Sequence, residues 1–209
     1  MKVTLVSKTP ASIAIHAIRM CHKSEDKSDS EQGIIGPKDE ALIKRIIQMG
    51  HISTLEHISL TWEIRNITRA CLQQLARHRT GKFSVESTRY TLTKVLKGEG
   101  NLEDYILDSG DPEVNSIAID AIKKMKELAV KGTIPNDTLK YALPESYYTN
   151  LYFTIDLRNF KHFLELRLTK HAMKEIRDLA KEMMGIIIQT DLKVFVDDLG
   201  ELYNESKTY

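Results

Sequence analysis

Apolar and polar positions change their period several times along the chain. Residues 2–7 alternate with period two and predict a short strand. Thr9-Pro10 then predicts a helix start, with Thr9 as N-cap and the helix running to about residue 22. Over 39–49, Ala41, Leu42, Ile43, Ile46 and Ile47 recur at helical spacing and stop at Gly50, while 23–38 and 51–57 lack a period and are predicted loops. Period two returns over 58–66, where Ile58, Leu60, Trp62 and Ile64 alternate with Ser59, Thr61, Glu63 and Arg65 as in a half-buried strand. Thr68 caps a helix that passes Leu72, Leu75 and Ala76 into Arg77-His78-Arg79. Residues 89–95 are a further strand candidate, and 98–112 an acidic loop. Helices are predicted over 113–131 and 137–143, a strand over 148–157, and helices over 159–168 and 171–189 before a frayed tail.

Strands and helices mix without a regular βαβ repeat, which predicts an α+β fold with an antiparallel or mixed sheet covered by helices. Neither a linker nor an internal repeat divides the sequence, so residues 1–209 are expected to form a single domain. Gly98-Glu99-Gly100 lacks the third glycine of a dinucleotide fingerprint and follows no strand, so any nucleotide here binds without a Rossmann turn. No apolar run approaches the roughly 20 residues of a spanning helix, and the N-terminus is too polar for a signal-peptide core. No membrane partner and a cytoplasmic location are therefore expected. Cys21 and Cys71 have no CxxC partner and sit on predicted amphipathic helices, where they read as packing residues. His51, Glu56 and His57 match no zinc-binding spacing, so no metal is expected.

Thirty basic against 29 acidic residues argue against a nucleic-acid partner held by bulk charge. The local balance differs. From Arg65 to Lys94 there are seven basic residues and only Glu86 is acidic, which predicts a confined anion. Within that stretch, Arg77, Arg79 and Arg89 can fork onto phosphates, His78 can stack or donate, and Gln74, Arg77 and His78, at i, i+3 and i+4, share one helical face. Two uses fit such a segment: a nucleotide-binding active site, or a module that grips RNA or nucleotides along 77–89, with Phe83 and Tyr90 stacking on bases.

Arg77-His78-Arg79, followed by seven residues and Ser87, resembles the signature of the flavin-dependent thymidylate synthases. The likeness continues in His51-x-Ser53-x-x-Glu56-His57, in Lys140-Tyr141-Ala142-Leu143-Pro144, and in Arg158-x-x-x-His162-Phe163-Leu164-x-Leu166-Arg167 with His171-Ala172 beyond. The resemblance implies an enzyme that methylates dUMP to dTMP, with FAD as cofactor, NADPH as reductant and methylenetetrahydrofolate as carbon donor, in a homotetramer with shared active sites. It implies that Ser53, Arg77, His78, Arg79, Val85, Asp156, Leu157, Arg158 and His162 hold FAD. Gln74, Leu75, Ala76, Arg77, Val85, Glu86, Ser87, Thr88, Arg89, Lys140 and Arg167 would line the dUMP site, with Arg167 catalytic. The chain departs from the commoner pattern at Ser84-Val85, where an Asn-Glu pair is frequent, and at Asp156, Lys140, His162 and Cys21.

Overall fold

The computed structural model describes residues 1–31 and 33–208. The chain begins with β1 (Lys2–Lys8), α1 (Ala11–Cys21) and α2 (Pro37–Gln48), then a 3-10 turn at Ser53–His57 and β2 (Ser59–Thr68). Next come α3 (Arg69–Leu75), β3 (Lys82–Val85), α4 (Thr88–Lys97), α5 (Pro112–Lys131) and α6 (Asn136–Leu139). The last elements are β4 (Tyr148–Asp156), α7 (Leu157–Arg167), α8 (Lys174–Ile187) and α9 (Gly200–Ser206). The strands form one antiparallel sheet in the order β1-β2-β4-β3, and the fold is α+β. No helix among the described residues is long and apolar enough to cross a membrane.

The chain folds as two compact units that interleave in sequence: Met1–Lys2, Ile64–Arg77 and Ser84–Leu151 in the first, Val3–Glu63, His78–Phe83 and Tyr152–Tyr209 in the second. In the first unit, α5 starts where Asp111 accepts from the Glu113 and Val114 amides at 2.9 and 3.1 Å, and stops at Gly132, whose φ of +71° favours glycine. Its buried residues, Ala118, Ile122, Met125 and Ala129, fall on one helical stripe and pack in a cluster with Leu92, Leu96 and Tyr147.

In the second unit, Trp62 stacks on Phe160 with centroids 5.7 Å apart, and Phe160 stacks on Phe163. Asp39 is fully buried and accepts from Arg19, Ser28 and Ser30, tying residues 28–30 to α2. Burial works to raise its pKa, but the hydrogen bonds from Ser28, Ser30 and Arg19 outweigh that and hold it at about 2.

Several expectations need correction. Residues 89–95 lie in α4 and not in a strand: Leu92 and Leu96, four apart, are the buried pair, so the period is helical despite the β-branched threonines. The strand of this region is instead the short β3 upstream. Thr9 does not cap α1; Pro10 occupies the cap, and Thr9 Oγ1 accepts from the Ser59 amide at 3.1 Å. Residues 190–206 do not fray, because Leu192, Val194, Phe195, Val196 and Leu199 are buried ahead of α9. Cys71 is buried as expected, whereas Cys21 is exposed at the last residue of α1.

Candidate active site

In the second unit the geometry is set at the start of α7. Asp156 ends β4 and caps the helix, accepting from the Asn159 amide at 2.9 Å and the Asn159 side chain at 2.7 Å, while the Leu157 amide donates to the Ile58 carbonyl at 2.8 Å. These bonds fix the rotation of the helix. Leu157, Phe160, Phe163 and Leu164 are buried, and the exposed residues Arg158, His162 and Glu165 form the opposite stripe. That stripe, with Ile52, Glu56 and Thr80, lines a pocket of about 590 Å³. Arg158 Nη1 donates to Glu56 of the 3-10 turn, whose first residue, Ser53, is exposed. An ion pair this open contributes only about 0–1 kcal/mol, so a phosphate can compete with the carboxylate for the guanidinium. Lys161 also borders the pocket, but its ammonium turns inward to the Phe195 carbonyl at 2.6 Å and to Asp198.

At the other end of α7 sits Arg167. Its Nε donates to His78 Nε2 at 3.1 Å, and the imidazole lies edge-on to Phe163 with centroids 5.0 Å apart. His78 is buried at 8% exposure between Arg77 and Arg79, which are both exposed. Burial first, then the charges of Arg167 and His162, push its pKa down to about 4. The turn behind it is closed by the Gly81 amide donating to the His78 carbonyl at 3.0 Å. A Cβ on Gly81 would sit 2.3 Å from the Phe153 ring, so only glycine lets this turn approach β4.

The first unit gathers a different set. The Glu86 amide donates to the Asn150 carbonyl at 2.8 Å, and Asn150 Nδ2 donates to the Glu86 carboxylate at 2.6 Å. Ser87 is the N-cap of α4, with Thr88 and Arg89 in its first turn. Arg89 and Lys140 both face Asp137, at 3.3 and 3.7 Å, and Asn136 Nδ2 donates to the Arg89 carbonyl at 2.8 Å. Two cations beside the start of α4 suit a monophosphate. Burial, Glu86 and Tyr105 push the neighbouring Tyr147 phenol up to about 12, so it stays protonated.

The shared helical face expected for Gln74, Arg77 and His78 does not exist. Helix α3 stops at Leu75 with Ala76 as its cap, so Arg77 and His78 lie beyond it. Leu75 is fully buried and Val85 is an exposed aliphatic side chain on β3, so either can offer a polar ligand only its backbone. Sequence reasoning did not foresee three partners: Phe163 against His78, Asp137 between Arg89 and Lys140, and Glu56 as the partner of Arg158. Nothing in the local pattern marks Asp137. The Arg-His-Arg run, however, implies an acceptor within reach of a guanidinium.

Residues 4–191 match the family described as thymidylate synthase complementing protein. The chain is 43% identical over 192 residues to the flavin-dependent thymidylate synthase of Wolinella succinogenes, covering 88% of this chain and 91% of that one. It is 40% identical over 204 residues to the enzyme of the same name from Campylobacter jejuni, covering 93% and 96%. Its fold is similar, with a TM-score of 0.84 and 35% identity, to the crystal structure of a Helicobacter pylori thymidylate synthase with FAD and dUMP, covering 94% of this chain and 98% of that one.

Proposed function

The chain belongs to the thymidylate synthase complementing protein family, the flavin-dependent thymidylate synthases, and from that membership we propose that it reductively methylates dUMP to dTMP. In this reading FAD is the cofactor, methylenetetrahydrofolate donates the carbon and NADPH supplies the reducing equivalents. The observation that carries the reading is the Arg167–His78 pair at the end of α7, in a chain with Arg77-His78-Arg79 set seven residues ahead of Ser87.

The second unit suits the cofactor. A pocket lined by Arg158, His162 and Thr80 offers the charged and hydroxyl donors that a diphosphate takes up, without a glycine turn. In this reading Ser53, His78, Arg79, Asp156, Leu157, Arg158 and His162 of this unit would hold it. When bound, the flavin supplies the hydride that reduces the transferred methylene to methyl. The first unit suits dUMP. Arg89 and Lys140 take the phosphate, and Gln74, Leu75, Ala76, Arg77, Val85, Glu86, Ser87 and Thr88 frame the nucleoside. Ser87 caps α4 and serves binding, not nucleophilic attack.

Arg167 does the electrostatic work. Methylation needs an electron-rich C5, reached as the uracil N3 proton leaves or its carbonyls are polarised, and a guanidinium stabilises that developing anion without losing its own proton. Helix α7 is continuous over both Arg158 and Arg167. Nine positions at about 100° turn roughly 900°, so the two side chains leave opposite sides of the helix. We therefore propose a homotetramer, acting in the cytoplasm, in which each 209-residue chain forms a single synthase domain and its α7 serves two sites. Mixing inactive Arg158→Ala and Arg167→Ala proteins under subunit exchange is expected to restore part of the activity. A scattering mass of one 23.9 kDa chain for the active enzyme, or no recovery after proven exchange, would rule the arrangement out.

A further inference from the structure

We propose that His78 is a positioning residue for Arg167: its Nε2 accepts the guanidinium Nε–H and so fixes the direction of the terminal amino groups that face the uracil ring. This deepens the reading above and rests on the role it gives Arg167.

The bond is 3.1 Å long, and Arg Nε can only donate, so Nε2 must carry a lone pair and the ring proton sits on Nδ1. Three features hold the imidazole in that pose. Phe163 packs edge-on at 5.0 Å and 80°, one turn before Arg167 on the same helix, so α7 supplies both the wall and the guanidinium. The Gly81 amide ties down the His78 carbonyl, and the ring is 8% exposed, leaving little room to rotate.

The charged surroundings favour the neutral ring. Arg167 and His162 face it from α7, and Arg77 and Arg79 flank it on its own segment. A second positive charge here would repel Arg167, which explains a histidine between two arginines: the position needs an acceptor that remains uncharged near pH 7. The support engages Nε, the nitrogen nearest the aliphatic stem, so the bond constrains rotation of the guanidinium about that stem. Misplacing such a group by about 1 Å costs on the order of 10²-fold in rate.

The test compares His78→Leu with His78→Gln, whose amide oxygen can accept without titrating. His78→Leu is expected to lower kcat per bound flavin on the order of 10–100-fold with dUMP KM changed less than about threefold, because the lost interaction acts in the transition state. His78→Gln is expected to recover about tenfold of that loss. Equal activity in the two variants, or flavin loss with kcat per bound flavin unchanged, would overturn the proposal and leave His78 as a cofactor contact alone. Nitrogen-15 spectra of the wild-type protein guard against misfolded variants. They should show Nδ1 protonated and Nε2 bare at about pH 7, and a proton on Nε2 would refute the bond directly. Absence of any dTMP formation by wild-type protein would instead sink the enzymatic reading, with the spectra still deciding the His78–Arg167 bond.

Discussion

The two candidate sites use the same kind of cation in opposite surroundings. Arg167 donates to a buried imidazole at 3.1 Å, beside a phenylalanine ring. Arg89 and Lys140 meet an open carboxylate, with side-chain exposures of 63% and 40%. Desolvation strengthens and fixes the first arrangement, whereas solvent and salt weaken the second. The difference separates their tasks: an aimed guanidinium suits a transition state whose charge has a definite place, and a loose pair of cations suits capture of a phosphate that must also leave.

The largest effect that should break this division is at Arg167. Arg167→Ala is expected to reduce kcat about 10²–10³-fold while flavin content stays normal, the scale seen when one oriented donor to a developing anion is removed. Steady-state kinetics normalised to bound flavin measure it. A loss confined to dUMP KM would place Arg167 with the capturing cations instead.

A smaller, crossed effect sharpens the comparison. Arg79→Ala with Arg158→Ala is expected to weaken FAD about 10–100-fold, since a hydrogen bond to a charged group contributes about 1.5–3 kcal/mol. Arg89→Ala with Lys140→Ala should leave the flavin in place and weaken dUMP about tenfold, with the deficit shrinking in higher salt. Flavin absorbance per chain and dUMP titration read the two losses separately. Loss of both ligands in both variants would mean that the two sets of cations do not have separate tasks.

Helices α1, α2, α5, α7 and α8, the long alternating strand β2 and the resemblance in Arg77-His78-Arg79 and Ser87 were legible, because each leaves a local period or spacing. Residues 89–95 misled because threonines and a tyrosine imitate a strand, while the decisive contact, Leu92 and Leu96 in the α5 cluster, is tertiary. The end of α3 at Leu75 was likewise invisible, since no glycine or proline marks it. Among the site residues, the basic ones announced themselves by charge. Their pairings did not: Asp137 stood out in no pattern, and Glu56 and Phe163 belonged to the resemblance without any sign of which residue each would meet, which the fold alone decides.

The smallest predicted effect is on stability. An unfolded His78 takes up a proton below its ordinary 6.5, but the folded residue refuses it until about 4. Stability is therefore lost as pH falls from about 6.5 towards 4, and the group contributes nothing to the slope above that window. Asp39 acts in a separate window: its stabilisation is present above 3.8 and is lost only as pH falls towards 2. Unfolding free energies from urea titrations of wild-type and His78→Gln proteins should diverge by on the order of 1–2 kcal/mol between about pH 7 and pH 5, with the variant flatter. Parallel curves would show that His78 is not held neutral by its surroundings.

The central claim is tested most directly by incubating the purified protein with dUMP and assaying for dTMP, while recording its absorbance spectrum. The account predicts oxidised-flavin bands in the protein and dTMP formed only when methylenetetrahydrofolate and a reductant are both present. A folded, colourless protein that gains no flavin when given FAD and forms no dTMP would contradict it.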